Sequence, residues 1–164
     1  MLEIEQAVTR HYAHGSLEQA ILDALAAAGK DVNRLSPKDL APVDEFHIGG
    51  RQATIAFAEQ FGPQPGMRLL DIGCGLGGAA RYFASEHGCR VTGIEMSAEY
   101  VAVANALATR VGLDKQVSCQ QGSALELPFA AGSFDGVYMF HVGMNIENKS
   151  RLFAEVRRVL PPSG

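Results

Sequence analysis

Apolar positions along the chain recur at two different periods, and the change from one to the other falls near residue 63. Before it the spacing is helical: Leu17, Ile21, Ala24, Leu25 and Ala28 return every three or four residues, and Gly29 follows where a helix would stop. Ser36-Pro-Lys-Asp39 supplies a capping hydroxyl, a proline at the first helical position and an acid in the first turn, which predicts a short second helix. A third is predicted from about Gly50 to Phe61, with Ile55, Phe57 and Ala58 inward, until Gly62-Pro-Gln-Pro-Gly66 breaks it. From Met67 short β-rich runs alternate with helical stretches, the pattern of βαβ units and a parallel sheet. Strands are expected near 68–72, 90–95, 116–120 and 134–140, and helices near 77–87, 98–111 and 148–160. Ser97 is placed to cap the second of these helices, with Glu99 complementing its dipole and Gly112 ending it. The last carries Leu152, Phe153, Val156, Val159 and Leu160 on one face and should lie against the sheet.

The chemistry sits at the end of the first strand. Asp71-Ile-Gly-Cys-Gly-Leu-Gly-Gly78 follows a predicted strand and opens a helix, and Glu95 ends the next strand. Gly73, Gly75 and Gly78 satisfy the dinucleotide spacing G-x-G-x-x-G, with an acid about 20 residues further on, where a ribose would be held. Asp71 separates two readings. A dinucleotide would bring a doubly anionic pyrophosphate against that carboxylate, whereas S-adenosylmethionine brings a sulfonium cation and an ammonium group that suit it. A NAD-binding oxidoreductase remains the competing reading.

The run Asp71, Gly73, Gly75, Gly77 resembles the first motif of the class I S-adenosylmethionine-dependent methyltransferases, of the small-molecule, type 11-like kind. Three more stretches match in order: Glu95, Gln121-Gly-Ser-Ala-Leu-Glu-Leu-Pro-Phe129, and Ser133-Phe-Asp-Gly-Val-Tyr-Met-Phe140; the run from Glu155 to Gly164 resembles the family's approach to its fifth strand. The resemblance spans roughly residues 66–164 and implies an α/β fold, a Rossmann-like parallel sheet with flanking helices (63–164), behind an amino-terminal helical lid (1–62). It implies that Asp71, Gly73, Cys74, Gly75, Gly77, Glu95, Met96, Ser123, Ala124 and Phe140 bind S-adenosylmethionine and release S-adenosylhomocysteine.

In that frame Glu95 accepts both ribose hydroxyls, and Met96 either packs on the adenine or is a core methionine. Ser123 stands where the family usually has an aspartate for the adenine amino group, a weaker neutral acceptor. His141, past the fourth strand, is the expected general base, or else it orients its loop. Asn145 either binds substrate or, the safer reading, caps the following helix; Asp135 reads as structural; His47, in the lid, could reach the substrate. The implied activity is in-line methyl transfer to a small-molecule acceptor; a cofactor-binding module without activity is the alternative from another class.

The family continues after this helix with three more strands in the order 3-2-1-4-5-7-6, so the resemblance implies an incomplete fold. The strand near 134–140 is then an open edge, apolar enough that it should pair with another chain, aggregate, or be covered by material absent from this sequence. Composition narrows the partners. The net charge of −4 and thinly spread basic residues lack the footprint of a phosphate-backbone binder, which argues against nucleic acid. No run of about 18 apolar residues suggests a membrane span, and no signal peptide is read at Met1, so a cytoplasmic setting is expected. Cys74, Cys89 and Cys119 read as reduced thiols, neither a disulfide framework nor a metal cluster.

Overall fold

The computed structural model describes residues 16–162. The stretch beginning at Met1, read above as free of a signal peptide, lies outside the described residues, as do Ser163 and Gly164. Three helices come first: α1 (Leu17–Ala27), α2 (Pro37–Asp44) and α3 (Gly50–Phe61). Ser16 caps α1 by accepting from Gln19 N, and Ser36 with Asp39 forms a capping box at α2. On α3 the fully buried positions are Thr54 and Ala58; Ile55 and Phe57, expected inward, are only partly buried.

The core then runs β1 (Arg68–Ile72), α4 (Gly78–His87), β2 (Arg90–Glu95), α5 (Ala98–Arg110), β3 (Val117–Gln121), β4 (Gly136–Met139), a 3-10 turn (Gly143–Asn145) and α6 (Lys149–Val159). All four strands are parallel in the order β3-β2-β1-β4, with Asp71 opposite Gly93 on one side and Tyr138 on the other. Central β1 reads Leu-Leu-Asp-Ile without alternation because both of its faces are covered. Leu69, Val91, Val117 and Tyr138 pack with α4 and α5 on one face; Leu70, Ile72 and Ile94 pack with Leu152 and Val159 of α6 on the other. Ser97 caps α5 by accepting from Tyr100 N, and α5 ends at Arg110, with Gly112 left-handed two residues on.

Two expectations change. The last strand starts at Gly136 and not near 134, because the Asp135 carboxylate is engaged by the Arg68 backbone N–H and guanidinium at 2.8–3.2 Å, ahead of the β-ladder. On α6 the apolar face is narrower than predicted: Phe153 is exposed, while Glu155 is buried, accepting from Leu127 N (2.8 Å) and pairing with Arg158 (2.7 Å). Those bonds from Arg158 hold the Glu155 carboxyl at about 2. The outer edge of β4 has no partner strand among the described residues.

The helical region is joined to the core by charge as well as by apolar contact. Leu25, Leu40 and Val43 pack with Val103 and Leu107 of α5, and Asp44 at the end of α2 is ion-paired with Arg81 of α4, both side chains fully buried. Arg81 also donates to Ala104 O.

Candidate functional site

A glycine turn joins β1 to α4 at the carboxyl end of the sheet. Gly73 N and Cys74 N both donate to Ile94 O, at 2.8 and 3.1 Å, folding the turn over β2. At Gly73 φ is +71°, and a Cβ would lie 2.3 Å from a methyl of Val142, so only glycine lets the loop after β4 settle on the turn. Gly77, also left-handed, caps α4.

Glu95 closes β2 at the same level. Its Oε2 accepts from Gly75 N and its Oε1 from Ser97 N, both at 3.1 Å. A carboxylate has about four lone-pair positions, so two amides leave each oxygen able to accept again. Next to it a cleft of ≈ 570 Å³ opens over Ile72 and Ile94, bordered by Gly73, Glu95, Met96, Ser123 and Ala124, and by Leu125, Val142, Asn145 and Ile146. Met96 is exposed at its rim. Ser123 Oγ accepts from Leu125 N at 3.1 Å, which shapes the turn and leaves its hydroxyl proton to give.

The other residues singled out from the sequence lie around this cleft and not on its lining. Asp71 is 3% exposed and accepts from the Tyr138 hydroxyl at 3.1 Å. Burial pushes its carboxyl up to about 7; the charges of Glu95 and Glu45 add to this, and the Tyr138 hydrogen bond opposes it. No basic side chain pairs with it among the described residues. Cys74 is buried beside Cys119, both sulfurs crowding Gly93; hydrogen bonding to Cys119 and burial push its thiol far up. Gly75 serves through its amide. Phe140 is ringed by Phe57 of α3, Tyr138 and His47 at 5.0, 5.6 and 4.9 Å. His141 follows at φ +51°, a strained conformation for a non-glycine residue, with its ring stacked 5.8 Å from that of His47.

Several residues gain a role only in three dimensions. Asn148, not Asn145, caps α6 by accepting from Arg151 N at 3.0 Å, and both asparagines border the cleft. Lys149 donates to the carbonyls of Gly143 and Ile146, tying the loop that carries Val142 and Ile146 to the cleft. Glu45 and Thr54 meet between α2 and α3, and no spacing in the sequence could show that, because α3 must first fold back on the segment ahead of it.

The methyltransferase domain model matches residues 70–164. A sterol 24-C-methyltransferase of Gibberella zeae is 36% identical over 107 residues, 65% of this chain and 28% of that protein. A probable chloroplastic tocopherol O-methyltransferase of Oryza sativa subsp. japonica is 40% identical over 94 residues, 57% of this chain and 26% of that protein. The chain therefore spans little more than a quarter of the length of these relatives. Among solved structures, Haemonchus contortus phosphoethanolamine N-methyltransferase 2 in complex with S-adenosyl-L-methionine is similar at a TM-score of 0.66 and 34% identity, covering 72% of this chain and 27% of that one. The [4+2]-cyclase SpnF is similar at 0.64 and 32%, covering 66% and 40%. The parallel sheet, its glycine turn and a domain match over more than half of the sequence converge: the chain belongs to the methyltransferase domain family, with its Rossmann-like fold.

Proposed function

We propose that the protein transfers a methyl group from S-adenosylmethionine to a small-molecule acceptor, and that the cleft beside Glu95 holds the donor's adenosine. One observation carries this reading: a buried acid, Asp71, raised to about 7 and lacking a basic partner among the described residues, stands under a glycine turn next to a carboxylate with acceptor capacity to spare. A ligand that is cationic at one end and carries a diol at the other suits both acids. Glu95 would accept the ribose hydroxyls, Ser123 and Ala124 would face the adenine, and Met96 would cover it; Gly73 lets the backbone come close. When bound, the sulfonium supplies an electrophilic methyl carbon; the protein aligns the acceptor and excludes water.

A NAD-binding reading is disfavoured by the same Asp71, which would face a pyrophosphate. The likeness to SpnF is a reminder that a shared fold does not fix the reaction. Free Cys74, Cys89 and Cys119 suit a reducing, cytoplasmic compartment, and we also assign to the β4 edge the pairing of two copies of the chain. Calorimetric titration with S-adenosylhomocysteine, with NAD as control, tests the cofactor assignment. Micromolar binding of the former alone is expected; binding of NAD alone would replace this reading with the oxidoreductase one.

A further inference from the structure

Between α2 and α3 the chain turns so that four polar side chains line up. Glu45 Oε1 accepts from Arg51 Nε at 2.9 Å, Glu45 Oε2 lies 3.3 Å from Thr54 Oγ1, and Thr54 Oγ1 lies 3.2 Å from His47 Nε2. Thr54 is fully buried and the Glu45 side chain is 1% exposed, while His47 is half-buried with its ring over Phe140 and beside His141. A hydroxyl owns one proton, so Thr54 cannot donate to both neighbours. If it donates to His47, a buried carboxylate oxygen goes without that bond. If it donates to Glu45, its oxygen accepts from His47 Nε2–H, and Nδ1 is left as a base. The second arrangement gives up a long bond from Nδ1–H to Ile48 O (3.4 Å); it wins because the bond it keeps is to a charged acceptor, and such bonds are roughly twice as strong as neutral ones.

We propose that His47 is the proton acceptor of the methyl-transfer site, and that Thr54 and Glu45 position it by holding the Nε2–H tautomer. This rests on the methyl-transfer reading and gives it a substrate class, a hydroxyl on an apolar body. The hydroxyl oxygen's lone pair forms the new bond to the methyl carbon, the carbon–sulfur bond breaks with its electrons on sulfur, and the hydroxyl proton passes to His47 Nδ1. Ile48 O, 3.4 Å from Nδ1, then receives the new N–H. Phe46 and Ile48, both exposed and flanking His47 in the chain, give an apolar acceptor a surface to rest on.

His141 is less suited to the task, since among the described residues no hydrogen bond orients its ring. The groups that bear on His47 are Glu45 through Thr54, Arg51 behind Glu45, His141 from the loop after β4, and the Asp71–Tyr138 pair beneath Phe140. Burial lowers the His47 imidazole from its ordinary value, the Ile48 carbonyl opposes this, and the neighbouring His141 adds to the lowering, which favours the neutral ring as a base.

Long-range proton–nitrogen correlation spectra of the histidine-labelled chain report each imidazole's tautomer without donor or acceptor present, so their outcome is separate from that of the S-adenosylhomocysteine titration. The expected result is Nε2–H for His47 in the wild type. Thr54→Val should move it to Nδ1–H and weaken its proton affinity about tenfold, one pH unit, and Thr54→Ser should restore both. A wild-type His47 found as Nδ1–H, which needs no variant to observe, or a folded Thr54→Val chain with unchanged spectra, would overturn the proposal.

Discussion

Asp71 is a carboxylate buried among groups that do not neutralise it, and it makes the stability of the molecule depend on pH between about 4 and 7. Its folded value of about 7 exceeds the ordinary 3.8, so between those values the folded chain binds more protons than the unfolded one. Its contribution to stability is therefore complete below about pH 4 and is lost as pH rises to about 7, a change on the order of 4 kcal/mol. Asp71→Asn should remove that slope: thermal midpoints at pH 5 and pH 8 should draw together, with the variant the more stable at pH 8. Binding a cation should do the opposite, expelling the proton. Titration with S-adenosylmethionine near pH 6.5, in buffers of different ionisation enthalpy, should show proton release from the wild type and none from Asp71→Asn. The position of Asp71 at a strand end was legible in the sequence; its value was not, because Tyr138 and the burial come from elements far along the chain.

At the scale of elements, local signals and tertiary demands disagree most around α6. A five-residue apolar face was expected, yet Phe153 is exposed and Glu155 takes a buried place because the Leu127 amide and Arg158 need an acceptor there. The cap moved as well. Both Asn145 and Asn148 fit the composition of a helix start, and the 3-10 turn over Gly143–Asn145 uses the first, leaving Asn148 to accept from Arg151 N. Asn148→Ala should cost about 1 kcal/mol in urea unfolding, the usual value of a lost cap. Asn145→Ala should leave the urea midpoint unchanged while weakening S-adenosylhomocysteine binding through the cleft. By contrast α2 and α5 begin at the serines read as caps, and α1 at Ser16, because capping is satisfied within four residues and needs no distant partner.

For the whole molecule two features matter most, the edge of the sheet and the seat of the amino-terminal helices. β4 ends the β3-β2-β1-β4 order with its faces packed and its outer hydrogen-bonding edge unpaired among the described residues. Sedimentation of dilute and concentrated samples should give a mass that rises with concentration as edges pair; a monomer throughout would refute pairing between copies. The amino-terminal helices are tied to the core by the buried Asp44–Arg81 pair, next to the segment that carries Glu45, His47 and Thr54, and the His47 ring stacks on Phe140 just past β4. The sequence by itself determined the parallel α/β plan, the glycine turn and Glu95 at the tip of β2, since strand period, helix caps and left-handed turns are written in neighbouring residues. Only the tertiary structure decided which of the marked residues line the cleft, that Asp71 lies buried without a basic partner among the described residues, and that Glu45, Thr54 and His47 meet. Burial and side-chain contact depend on how α3, β1 and β4 pack together, and no pattern within a single element records that packing.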